Sequence, residues 1–466
     1  MAKLFICALL LCMTNIAIGQ INQSAIISGS GEYLQDNDTV VISVNRYNFS
    51  ILKHQFQKVY KSPIQNHFFK VVLPVGDSSH YVTIQVGTKV KLATLRRYLI
   101  SPGDDIHLDF KDDTMVISGK QSAGFNTQYR FQQAAIADNT QIFQGVNFEP
   151  FLKAIDSVGN HYLEIFDSGK EYFSDEAWNI LINDLISAKS FEYHWIISQM
   201  PLDEPRKSQY IQSAKKYFTE KSTFKPSANY SVNSINTAEY LLQRYTFDSC
   251  AVIGRPFELK RYLKYLSQNL IGLQKDKAVA YTLFNNRDLT GDTLEELDKA
   301  VNQASNTEFA NIIKEFKDLK TDGVMAYDFS LTDIKGKRVH LSDFRGSPII
   351  LDFWFTGCVG CRGLAPYMKN IEQKFSAKNV KFIGISVDKD FKLWLNGIAS
   401  EKYVSPNIIN LMTNGNGNKD VVIDKYKIRE YPSIFLIDKN GKLRNVKTDP
   451  RDDNGKSLIE MIKLNL

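Results

Sequence analysis

The chain has 466 residues, 43% hydrophobic and 23% charged, with a formal net charge of +6. Such usage excludes a disordered chain, a collagen-like repeat and a coiled-coil rod, and the length suggests about three domains. The charge excess is too small to argue for nucleic acid. From Ala326 onward 23 basic residues face 16 acidic ones, while the rest of the chain is balanced at 34 against 35, which reads as a mildly basic, solvated C-terminal surface.

Lys3, the apolar run Leu4 to Met13 and the small-x-small triplet Ala17-Ile18-Gly19 read as a secretory signal peptide over residues 1–19. The apolar run is too short to span a membrane. Cys12 follows Leu11, which is not the small residue a lipoprotein signal carries there, so the pattern argues against a lipid anchor. The expected mature chain is Gln20–Leu466, and no other stretch approaches 18 consecutive apolar residues. It keeps three cysteines, Cys250, Cys358 and Cys361, far fewer than a disulfide scaffold needs. Cys250 reads as a buried small apolar residue, with an intermolecular disulfide as the alternative.

Three zones follow, and the expected fold class is multidomain. Residues 20–119 read as an all-β domain, a sandwich or small barrel. The runs Thr39–Val44, His67–Leu73 and His80–Val86 are β-branched and aromatic, and Gly76–Ser79 and Ser101–Asp105 supply turns. Residues 120–325 read as an α-helical domain. Phe148, Phe151, Leu152, Ile155, Tyr162 and Phe166 share one helical face, and so do Trp178, Leu181, Ile182 and Leu185. Pro256 marks the start of another helix, and 295–301 and 308–319 are two more. Residues 326–466 alternate strands and helices, as an α/β layer domain does. Pro348–Phe355 and Val380–Val387 are buried strands, 361–375 is helical, and Asp438-Lys-Asn-Gly441 closes a hairpin between 433–437 and 443–447.

The chemistry lies in this third zone. Cys358-Val-Gly-Cys361 follows a buried strand and opens a helix. A sulfur at a helix N-terminus meets unpaired N–H groups and the positive end of the dipole, so its thiolate is favoured. A second cysteine one turn on can attack a mixed disulfide. Zinc would want four ligands, yet residues 341–466 hold no histidine and no other cysteine. Asp352 sits inside the apolar run. Burial would raise its pKa and let it take a proton from Cys361. The alternative is a strand-end aspartate that is hydrogen-bonded and does no chemistry.

The run from Ile349 to Arg362, with Asp328–Gly346 ahead of it, resembles the active-site region of thioredoxin-like proteins and most of all the exported TlpA/ResA-like disulfide reductases. The resemblance covers about the last 140 residues. A signal segment, a β-rich zone and a helical zone ahead of such a domain resemble the layout of Bacteroidetes periplasmic members. The resemblance implies that Cys358 attacks, Cys361 resolves, Pro366 kinks the active-site helix and Trp354 packs beside the motif. Tyr431-Pro432 would be the cis-proline loop that faces the cysteines and offers backbone to a client. Asp352 falls where thioredoxin carries a buried aspartate and many exported relatives carry asparagine. Two positions depart from the pattern. Gly357 stands where a tryptophan usually precedes the first cysteine, opening that surface. Val359-Gly360 lacks the histidine of an oxidant, which leans toward a reductase.

The expected function is therefore an exported thiol–disulfide oxidoreductase, periplasmic or otherwise in the cell envelope, that reduces client proteins with disulfides. The redox-active pair Cys358–Cys361 needs no cofactor, and Tyr431, Pro432 and Trp354 form the substrate groove. Reducing equivalents would come from a membrane electron donor of DsbD type. The alternative is a binding or client-recruiting module of the envelope with an accessory thioredoxin-like domain. Nothing in the chain argues for nucleic acid or a transmembrane span.

Overall fold

A computed structural model describes residues 23–49, 56–87, 94–111, 114–142, 148–199, 233–285, 293–446 and 448–466, with a few residues between 207 and 215. The expected export segment, residues 1–19, lies outside the described residues. Among the described residues no helix is long and apolar enough to cross a membrane. The chain divides at Phe257/Glu258 into two compact units.

Among the described residues the first unit opens with eight strands: β1 (Ser24–Ser30), β2 (Thr39–Asn45), β3 (Gln57–Pro63), β4 (Phe68–Pro74), β5 (His80–Val86), β6 (Thr94–Ile100), β7 (Asp105–Lys111) and β8 (Thr114–Ser118). They form two four-stranded sheets, β4-β1-β7-β8 and β3-β2-β5-β6, antiparallel except for the parallel pair β1–β7. Alternation decides the faces. In β4, Phe69, Val71 and Leu73 point into the core while Phe68 and Val72 stay exposed. Ile27, Val40, Ile42, Ile84 and Leu108 from both sheets meet in one apolar core. Among the described residues, helices α1 (Ser122–Ile142), α2 (Phe148–Asp167), α3 (Asp175–Gln199) and α4 (Thr237–Thr246) follow. Phe166, Ile180, Leu181 and Leu185 form a second core with Tyr81 and Leu99 of the sheet.

The second unit begins with α5 (Leu259–Asn269), α6 (Gly272–Asn285), α7 (Leu294–Asn302) and α8 (Thr307–Lys320). It thus takes in helices that sequence pattern groups with the middle zone. Pro256 does not start α5. The helix begins three residues later, after Glu258 in extended backbone at φ −126° and ψ 118°. The α/β part contains β9 (Ser330–Asp333), β10 (Arg338–His340), β11 (Ile349–Trp354), α9 (Val359–Lys374), β12 (Lys381–Ser386), α10 (Phe391–Ala399), β13 (Ile409–Met412), α11 (Val421–Lys425), β14 (Ser433–Ile437), β15 (Leu443–Arg444) and α12 (Lys456–Leu464). Its strands form one seven-stranded mixed sheet, ordered β10-β9-β13-β12-β11-β14-β15.

β11 is central, parallel to β12 and antiparallel to β14, and all six of its residues are buried. That is why its sequence is a continuous apolar run and not an alternation. Ile349, Leu351 and Phe353 pack on one face with Ile383, Ile385, Leu411 and Tyr426. Ile350 packs on the other with Leu364, Met368 and Ile371 of α9 and Leu458 and Ile462 of α12. Asp352 and Trp354 share the parity of Ile350, so they stand on the α9 side of the sheet.

Leu351→Ala is expected to destabilise the second unit by about 2–5 kcal/mol, since Leu351 is wholly buried and its neighbours cannot close the gap. Urea unfolding should show it, with Leu351→Met as a near-neutral control. Equal midpoints for the two variants would contradict the packing described.

Candidate active site

The site is built on the passage from β11 to α9. The turn Phe355-Thr356-Gly357 reverses the chain, with Gly357 at φ +99°, a conformation that side chains rarely adopt. Cys358 then caps α9, and its Sγ accepts the Cys361 N–H at 3.0 Å. The two sulfurs are joined in a disulfide with an S–S distance of 2.05 Å. The same hydrogen bond and the helix dipole would favour the Cys358 thiolate once that bond is reduced.

Trp354, Cys358, Cys361, Trp394 and Val404 form one apolar cluster, with Tyr403 and Tyr431 packed against it. Trp354 stacks on Tyr403 at 5.8 Å and 13°. Val359, inside the motif, is 71% exposed and leaves an open surface beside the sulfurs. The Tyr431–Pro432 peptide bond is cis. The loop meets the motif at Gly360, where an added Cβ would lie 3.1 Å from Pro432 Cδ and 3.1 Å from the Tyr431 carbonyl oxygen. Glycine therefore lets the loop close onto the cysteine turn. Tyr431 is held edge-on to Phe355 and donates its hydroxyl to Asn418 Oδ1 at 2.6 Å; burial pushes its phenol up. Pro366 lies inside α9.

The turn is also anchored from β12. Buried Asp388 accepts the Thr356 N–H (3.1 Å) and hydroxyl (2.8 Å) and the Ser386 hydroxyl (2.9 Å). Sequence pattern does not single out this clamp. Asp388 reads as an ordinary post-strand turn residue, and only the parallel pairing of β11 with β12 brings it to Thr356. Trp394 and Tyr403 are likewise visible only in three dimensions.

Asp352 is buried, and its Oδ1 has no hydrogen-bond partner. Burial, and secondarily the charge of Glu372, pushes its carboxyl up to about 8. A carboxyl of this kind holds or releases a proton near neutral pH, as a general base for a buried thiol must. The structure thus gathers Trp354, Cys358, Cys361, Tyr431 and Pro432 around the motif and sets Asp352 in the strand beneath α9. Among the described residues no three His, Cys, Asp or Glu side chains converge as metal ligands. Cys250 is buried in the first unit, in a π-helical stretch at 247–251.

Comparison with known proteins places this segment. Residues 323–446 match the AhpC/TSA family. The thiol-disulfide oxidoreductase ResA of Geobacillus kaustophilus is 33% identical over 127 residues, 27% of this chain and 68% of the relative. ResA of Geobacillus thermodenitrificans is 32% identical over 143 residues, covering 30% and 77%. Among solved structures, the thioredoxin domain of a thiol-disulfide oxidoreductase from Bacteroides vulgatus matches at 28% identity, with 31% of this chain and 96% of that one covered and a TM-score of 0.27. The curated relatives carry the assignment: through its C-terminal thioredoxin-like segment, the chain belongs to the ResA family of thiol-disulfide oxidoreductases.

Proposed function

We propose that the protein is an exported reductase of client protein disulfides, working in the periplasm or cell envelope. The observation that carries this reading is the Cys358–Cys361 disulfide at the N-terminus of α9, with the Pro432 loop against it and a buried Asp352 below. In the reduced protein, the Cys358 thiolate attacks one sulfur of a client disulfide. A mixed disulfide forms, and the client's other sulfur leaves as a thiolate. Cys361 gives its proton to Asp352 and attacks Cys358, which restores the internal disulfide and releases the second client sulfur as a thiolate. Two electrons pass from the protein to the client. An external dithiol donor, of the DsbD type that faces such proteins from a membrane, must then re-reduce the pair. Both electrons travel on sulfur, so the cycle calls for no further cofactor. The client chain would lie between Val359 and the Tyr431–Pro432 loop and pair its backbone with that loop. Trp354 backs the sulfurs from inside.

Cys358→Ser should abolish reduction of oxidised insulin. Cys361→Ser should accumulate a mixed disulfide, visible on a non-reducing gel. The reduction potential of the pair, equilibrated against dithiothreitol buffers, should lie near or below about −270 mV. A value near about −120 mV would make the protein a disulfide donor and overturn the reductase reading.

Asp352 also sets a pH dependence of stability. Its folded value is raised above the unfolded one, so between about pH 4 and about pH 8 the folded chain holds a proton that the unfolded chain has released. Stability therefore falls as pH rises through that window. Asp352→Asn, which cannot ionise, should be more stable than the wild type by on the order of 4 kcal/mol at pH 7, with the gain vanishing below about pH 4. Thermal unfolding at the two pH values measures the difference. A variant less stable than the wild type at pH 7 would mean that the carboxylate is paired in the folded state.

A further inference from the structure

Between α11 and β14 the chain runs through Tyr426-Lys-Ile-Arg-Glu430 into the Tyr431–Pro432 loop. Side chains of this short strap alternate as they do along a strand, and both of its faces find partners. Tyr426 and Ile428 join the core around Phe353. The Tyr426 ring lies 5.6 Å from that of Phe353 and 5.0 Å from that of Phe435, and its hydroxyl donates to the Tyr327 carbonyl at 3.1 Å. Lys427 and Arg429 instead meet α8 and α6.

Two contacts from those helices hold the strap. The Lys427 side chain is only 3% exposed and donates to the Glu315 carboxylate, with Asp424 at 3.6 Å. Its Nζ also stands 5.7 Å over the ring of Phe316. A lysine so deeply buried keeps its charge only against a partner. Its backbone is left-handed, at φ +50°, a conformation that a residue with a Cβ keeps only where its surroundings hold it. Two residues on, the Arg429 guanidinium lies over the ring of Phe284 in α6, 4.4 Å from the centroid. Phe284 and Phe316 pack edge to face at 4.9 Å, so both contacts rest on one aromatic pair between α6 and α8. Both helices lie ahead of residues 323–446, the segment that matches the family.

We infer that Phe284 of α6 and Glu315 of α8 are positioning residues for the thiol–disulfide reaction: acting through Arg429 and Lys427, they set the Tyr431–Pro432 loop over the cysteine turn and so the affinity for a peptide client. This rests on the reading of that loop as the place where a client pairs its backbone. A strap clamped on both faces enters the loop in one conformation, and a client that pairs with it does not have to order it first. A small disulfide with no backbone to pair gains nothing from the clamp. Phe284 is 5% exposed, so its effect passes through Arg429 and not through contact with a client.

Oxidation of the pre-reduced full chain in single turnover tests this, with insulin as the peptide client and bis(hydroxyethyl) disulfide as the small one. Phe284→Leu and Arg429→Gln should each raise the insulin concentration at half-maximal rate about three- to fivefold, the weight of one such contact, and leave the limiting rate unchanged. Because the two residues form one contact, the double variant should lose no more than either single one. Arg429→Lys, which keeps a cation over the ring, should recover part of the loss. Glu315→Gln should raise the half-maximal concentration in the same way, through Lys427. Every variant should react with bis(hydroxyethyl) disulfide at the wild-type rate and keep the wild-type reduction potential. Arg429 lies at the surface, so Arg429→Gln leaves the core intact even where Phe284→Leu disturbs the aromatic pair. An Arg429→Gln profile on insulin that matches the wild type, or an equal loss on both disulfides, would overturn the role of the helices and leave the reductase reading standing. A wild type inert toward both disulfides would overturn the reductase reading, and this inference with it.

Discussion

The whole second unit depends on the complete burial of β11. Six consecutive buried residues demand packing on both faces, and α9 and α12 supply one of those faces. Each large apolar side chain so buried contributes about 1.5–3 kcal/mol, so the strand has no latitude to slide or turn over. Since the motif begins four residues after the strand ends, that rigidity passes directly into the site. The sulfur of Cys358 falls at the first turn of α9 because β11 and α9 are locked to each other behind it. The reactivity of the thiol is thus a by-product of core packing.

The same burial creates a costly group in the core. An aspartate in the middle of β11 opposes folding at neutral pH, and no partner relieves its Oδ1. An asparagine or an aliphatic residue would fit the strand better. A chain that keeps a carboxyl here keeps it against stability, the pattern expected of a group retained for chemistry. Gly384, the β12 partner of Asp352, leaves room for a packed neighbour, since a Cβ there would meet Val404 Cγ2 at 2.7 Å.

Much of this was legible in the residues. The continuous apolar run at 349–354, the C-x-x-C at a strand-to-helix junction and the hairpin around Asn440-Gly441 each carry a local signature, and all three occur in the fold. The elements that escaped have physical reasons. In α10, Phe391, Leu393 and Leu395 are apolar yet exposed, and they mask the helical spacing of the buried Trp394, Gly397 and Ile398. β13 has four residues, too few for any pattern, and is ordered by its parallel neighbour β12. Asp388 became visible only through the pairing of strands distant in sequence.

The Asp388 clamp bears on how a partner tells the oxidised protein from the reduced one. Thr356 is tied through both its amide and its hydroxyl to a carboxylate that does not take part in the redox step, and Ser386 fixes that carboxylate in turn. Opening the disulfide releases a bond on the helix side of the turn and leaves this tether on the strand side intact. On the proposed reductase cycle, this tether would hold the strand side of the turn in one shape in both redox forms. Recognition would then rest on the sulfurs themselves, and one docking surface would serve an oxidised client when the pair is open and a dithiol donor when it is closed.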